Sequence, residues 1–200
     1  MLKIFFFLLF SCGINAQQLE SLKILKIKHD SIETQLKLKY QEEIKGKSES
    51  EISEIYYQNL LSRSKNNRER LDHYFSAVQT FLETQKLIGP SQEAAQQEIP
   101  DKTANYSQGF PALYKEVHDF IKNQYQDRLD EFFTKSAKIH FIVQNDHSLY
   151  IEKVEGSEKE FNDLALLAFL MTTGKWESAF QRGMNVKSKF VLPVKFVVEE

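Results

Sequence analysis

Between Gly13 and Gly89 the chain holds one glycine, Gly46, and no proline. This spacing constrains the fold more than any other feature, because these are the two residues a helix interior carries at most cost. From Gln17 to Lys45 apolar residues recur at Leu22, Leu25, Ile32, Leu36, Tyr40 and Ile44, with His29 filling one slot. The three- and four-residue steps predict one long helix, ended by Gly46. Ser48 followed by Glu51 reads as a capping box that opens a second helix. Its stripe runs through Ile52, Tyr56 and Leu60, turns polar across Ser62 to Arg70, and returns at Leu71, Tyr74, Val78 and Phe81. Gly89-Pro90 is the expected stop. Residues 17–88 carry 12 Lys+Arg against 11 Asp+Glu, mixed rather than blocked. The segment reads as a solvated helical hairpin that buries one stripe. Self-association through residues 17–88 as a coiled coil is a second reading, weakened by the polar run SRSKNNRER.

Residues 1–16, MLKIFFFLLFSCGINA, pair one lysine with an apolar run and a small residue at Ala16. That is the layout of a secretory signal peptide cleaved before Gln17, and the run is shorter than the ~20 residues a spanning helix needs. The expected location is the periplasm or the exterior. The alternative is a lipoprotein signal with Cys12 as the lipidated residue, giving a lipid-anchored envelope protein. Membrane contact is expected only if the segment is lipidated or uncleaved. Cys12 is the only cysteine, so cleavage at Ala16 leaves no disulfide, thiol nucleophile or thiolate metal site.

Residues 89–109, GPSQEAAQQEIPDKTANYSQG, contain two prolines and no sustained period, and read as a linker. Residues 110–200 differ. Phe110, Leu113, Tyr114, Val117, Phe120, Ile121 and Tyr125 fit a helical period, with Pro111 in the first turn. Lys138 to Val143 and Leu149 to Val154 alternate as two strands around the turn Gln144 to Ser148, which predicts a hairpin. Ser157 with Glu160 suggests a capping box for a helix whose stretch Leu164 to Met171 is apolar throughout, and Gly174 ends it. In the closing stretch Val186, Phe190, Leu192, Val194, Phe196 and Val198 alternate with Lys187, Lys189 and Lys195. The order helix, hairpin, helix, strand predicts an α+β module, a three-stranded antiparallel sheet with two helices on one face.

No glycine-rich phosphate loop precedes a helix. The five histidines show no H-x-x-x-H or H-x-H spacing, His147-Ser148 are neighbours in a turn, and Asp130-Glu131 sit in a solvated run. The expectation is a non-enzymatic protein with no cofactor and no metal. A formal net charge of −2 argues against nucleic acid as a partner. Trp176 is expected to close the core rather than present a ligand platform.

The strings GFPALYKEVHDFI, AKIHFIVQNDHSLYIEKVEG, FNDLALLAF and KWESAFQRGMNVKSKFVLPVKF stand in one order near the C-terminus. Together, over about residues 104–198, they resemble the TonB C-terminal domain in its Bacteroidetes-type form. Trp176, Gly183 and Leu192, with Val186, Pro193 and Val194, carry the closing pattern as structural positions. The chain departs from that pattern at three places: His147 stands where the family usually has glycine, Ser178 where proline is usual, and no Tyr-Pro follows the first helix. It also lacks the long Pro-rich spacer of an energy transducer.

The resemblance implies that the last strand offers its edge to an extended segment of a partner, which adds by main-chain pairing. The implied edge residues are Lys187, Lys189, Val191, Pro193, Lys195 and Val197. Proline and lysines on such a strand also serve simply to prevent aggregation. The expected function is an exported adaptor of the cell envelope that recognises an envelope protein, such as an outer-membrane receptor segment, in connection with outer-membrane transport. The alternatives are an assembly protein working through residues 17–88, and a TonB-type energy transducer if the N-terminus stays in the membrane as an anchor.

Overall fold

The computed structural model describes residues 5–90, 100–124 and 135–195, with backbone alone for residues 5–19. It is a mixed helix and strand protein. Four helices stand among the described residues: α1 (Phe5–Glu43), α2 (Glu49–Ile88), α3 (Phe110–Gln124) and α4 (Lys159–Leu170). The strands are β1 (Asn105–Tyr106), β2 (Ser136–Val143), β3 (Leu149–Gly156), β4 (Trp176–Glu177), β5 (Ala179–Gln181), β6 (Met184–Val186) and β7 (Ser188–Lys195). The chain divides into two compact units, Gln18–Gln79 and the remainder. Among the described residues no helix is long and apolar enough to cross a membrane.

The first unit is the helical pair. Its turn forms where glycine allows it, with Gly46 at φ +71. The Ser48–Glu51 box is present: the Glu51 carboxylate accepts from the Ser48 amide at 3.0 Å and its hydroxyl at 2.8 Å. These bonds and Lys47 hold Glu51 down to about 2. The polar run does not interrupt the pairing of the helices. Ser62 and Lys65 bond within α2, but Arg63 and Asn66 of the run, and Asn59 just before it, bond across to α1. Asn59 donates to the Leu36 carbonyl at 2.8 Å, Arg63 meets Glu33 at 2.6 Å, and Asn66 meets the His29 ring at 2.8 Å. His29 and Asn66 are buried. Burial works against ionisation of Glu33, yet the Arg63 bond and charge, helped by Lys37, hold it below the ordinary range. The seam tolerates polar residues because Asn59, Arg63 and Asn66 each find a partner on α1.

The second unit is built on a three-stranded antiparallel sheet in the order β3-β2-β7. Ile139, Phe141, Val143, Ile151, Leu192 and Val194 are buried along it. α4 lies against β2 and β3, and α3 against α4 and β7. Phe141 reaches Phe169 of α4 (centroids 4.8 Å) and Phe110 of α3 reaches Phe190 (6.1 Å), so both helices cover the same sheet face. Trp176 sits among Tyr106, Phe110, Phe141, Phe169 and Phe190 and is a core residue, 7% exposed.

Three sequence expectations are corrected. The linker does not extend to Gly109. Residues 101–107 run along 175–182: Lys102 exchanges both main-chain bonds with Phe180, Asp101 accepts from the Arg182 amide, and Tyr106 is fully buried. Residues 91–99 of that stretch lie outside the described residues. α4 starts at Lys159 with Glu158 as N-cap and no side-chain cap bond, so the Ser157 box is not used. The closing stretch is two strands. β6 pairs with β5 around Arg182-Gly183, and β7 begins only at Ser188. Both turn residues have positive φ, +49 and +83, the geometry a two-residue hairpin requires.

Candidate functional site

The outer edges of β3 and β7 are the two places where the sheet could accept another strand, and they are unequal. β7 pairs with β2 without a register shift from Ser188↔Val143 to Lys195↔Ser136. It has no further neighbour among the described strands. Phe190, Leu192 and Val194 turn inward, while Lys189, Val191, Pro193 and Lys195 are exposed, Val191 by 52%. Lys189 reaches across to Glu152 at 2.6 Å. No Asp or Glu occurs from Met184 to Lys195, so the edge is basic.

The expected edge residues are therefore brought together only in part. Lys189, Val191, Pro193 and Lys195 share one row of β7. Lys187 stands between β6 and β7 and is half-buried, and Val186 pairs with Ala179. Val197, with Phe196 and Val198, lies outside the described residues. Leu192 and Trp176 are buried core positions and Gly183 is a turn position. Cys12 falls within α1, where the backbone alone is described.

The β3 edge is different on two counts. Its pairing with β2 slips between His140 and Phe141, leaving Glu152 as an extra residue. Such a bulge bends a strand and disrupts its ladder. Next to it, Gln85 near the end of α2 bonds the strand main chain at Leu149 and Ile151. Gln85 carries no motif. The available signal was its place four residues after Phe81 on a buried stripe, where a polar residue must find a partner.

His147 and Ser178 meet each other. The His147 Nδ1 accepts from the Ser178 amide at 3.0 Å and lies 2.9 Å from its hydroxyl oxygen. The hydroxyl donates to the Gln144 carbonyl, and it accepts from the His147 amide at 3.2 Å. The serine proton is thus committed to a carbonyl rather than to the imidazole, and the contact fastens the β2–β3 turn to the segment after Trp176. His147 holds φ +68 there, a conformation that costs an L residue free energy unless its surroundings fix it. Both residues were noted as departures from the resembling pattern, and each is the other's contact.

Among the described residues no group of three or more His, Cys, Asp or Glu is placed to hold a metal. Among the described residues the fold is an α+β module with a regular, basic strand edge that no further strand covers. No family model, curated protein or solved structure matches the chain.

Proposed function

We propose that the protein is a non-enzymatic, exported binding protein of the cell envelope that takes up an extended segment of a protein partner along β7. The observation that carries this reading is the inequality of the edges. β7 offers an eight-residue strand in regular register, while β3 is bulged and already bonded by Gln85. Main-chain bonds along β7 supply affinity, and side chains beside Lys189, Val191 and Lys195 supply selectivity. The likeness of the sequence to the TonB C-terminal domain supports the same edge and suggests an outer-membrane receptor segment as the partner class. A TonB-type energy transducer is the version of this function in which the N-terminal segment stays in the membrane.

The test is site-specific photo-crosslinking of the full chain in its own host. A crosslinker at Val191 is expected to capture one discrete envelope protein, and the same group at Lys153 on β3 is not. Placing a second proline at Val191 should abolish partner capture. No adduct at Val191, or an equal adduct at Lys153, sinks the proposal.

The assembly reading keeps one supporting observation. Ile24, Ile27, Leu38, Tyr57, Leu60 and Leu61 are large, apolar and exposed on the helical unit. A crosslinker at Leu61 that captures a second copy would favour it.

A further inference from the structure

Gln85 makes a pair of bonds normally made by a neighbouring strand. Its Oε1 accepts from the Ile151 amide at 3.0 Å, and its Nε2 donates to the Leu149 carbonyl at 2.5 Å. One residue of a parallel strand bonds its neighbour in this way, to a carbonyl and an amide two residues apart. The side chain is 4% exposed, so these bonds are sheltered from water. The amide of Gln85 therefore stands in for a strand one residue long, opposite Tyr150.

The two edges need different protection. β7 carries Lys189 and Lys195 and no acid, so a second copy of β7 meets like charge. β3 carries Glu152, Lys153 and Glu155, a mixture that does not repel its own copy. Lys153 is already paired with Glu155, and Glu155 also with His140 at 3.0 Å. Charge does not close β3 to self-pairing. The bulge at Glu152 leaves Leu149 to Ile151 in register with β2, so this stretch is the template for another chain that needs a cover.

We infer that Gln85 is a built-in strand substitute that seals the β3 edge against β3 of a second copy of this chain. The module then has one strand-accepting edge rather than two. This rests on the strand-addition reading only for the role of β7. The seal at β3 is measured separately.

The experiment compares the full chain with Gln85→Leu, Gln85→Ala and Gln85→Glu. It reads amide exchange at Ile151 by NMR and mass against concentration by sedimentation. Leu and Ala remove both bonds, one filling the space and one vacating it. Glu keeps the acceptor for Ile151. Ile151 exchange is expected to rise roughly ten-fold or more in Leu and Ala, as for one lost main-chain bond, and to stay slow in Glu. Leu and Ala should form dimers as concentration rises. Glu, which keeps the Ile151 bond but turns a second oxygen toward the Leu149 carbonyl, should fall between them and the parent. Unchanged exchange at Ile151 in whichever of Leu and Ala folds overturns the seal. Faster exchange without association overturns its role against a second copy. If these variants dimerise while Val191 captures nothing, the seal stands and the strand-addition reading falls.

Discussion

Replacing Tyr106 by alanine decides whether the stretch before α3 is a tether or part of the core. Tyr106 is fully buried, packs on Trp176 with ring centroids 5.4 Å apart, and pairs with it in the β1–β4 ladder. Its hydroxyl donates to Glu116 at 2.9 Å and accepts from the Gly174 amide at 2.5 Å. Glu116 in turn accepts from the Thr173 amide at 2.6 Å and hydroxyl at 2.9 Å. Truncating a fully buried aromatic costs about 3 to 5 kcal/mol through lost burial and the cavity left behind. Tyr106→Phe keeps the ring and removes only the hydroxyl. It leaves the Gly174 amide without its acceptor and should cost about 1 to 3 kcal/mol. The assay is urea unfolding followed by fluorescence of Trp176, the only tryptophan. The expected order is wild type, then Phe, then Ala, with Ala losing much of a stability of about 5 to 15 kcal/mol. If Ala falls within about 0.5 kcal/mol of wild type, the range of ordinary surface changes, the stretch is a linker and this reasoning is wrong.

The polar seam of the helical unit gives a second prediction. His29→Leu removes the ring partner of the buried Asn66 Oδ1 and of His73, while Asn66 still donates to the His29 carbonyl. It should lower stability by about 1 to 3 kcal/mol, and adding Asn66→Leu should recover part of that loss. Thermal unfolding by circular dichroism reads it, and a double variant no better than the single would refute the seam. The third prediction concerns alkaline pH. Burial pushes the Tyr74 phenol up to about 12, with Arg70 pulling it down and Asp30 pushing it up. An unfolded tyrosine ionises near 10, so the folded state binds the proton more tightly. The stability this contributes is full below pH 10 and is lost as pH rises from 10 toward about 12. The loss is at most about 2 to 3 kcal/mol, and Tyr74→Phe should show a flatter stability profile across that window. Equal slopes would remove Tyr74 as the cause.

Much of the fold could be read along the chain, and the misreadings share a cause. The β2–β3 hairpin was legible because Ile139, Phe141 and Val143 alternate with polar residues, and period two needs no knowledge of the partner. The Ser48–Glu51 box was legible because its bonds close within four residues. The run from Ser62 to Arg70 was read as a break because an apolar count sees no stripe there. Arg63 and Asn66 within it, and Asn59 just before it, nonetheless reach α1, each bonded to a residue 23 to 37 positions away. The stretch before Gly109 was read as a linker because a two-residue strand has no period to detect. Of the edge, Lys189, Val191, Pro193 and Lys195 were legible as an alternating row. The break at Lys187 was not, because it depends on Val186 pairing with Ala179.

The sequence by itself determined where the helical hairpin turns, where α2 stops, and that β2 and β3 form with Ile139, Phe141 and Val143 turned inward. Those choices follow from glycine, proline and periodicity, all of which act within a few residues. Only the tertiary structure decided that the β3 edge, among the described residues, is met by a side chain of α2. That depends on Gln85 meeting Leu149 and Ile151, 64 and 66 residues further on. It also settled that His147 and Ser178 meet, 31 residues apart. A lone glutamine, histidine or serine carries no directional signal along the chain. What each can do is fixed by which donor or acceptor the fold sets within 3 Å or so of it, because a buried polar group must be bonded wherever it lands.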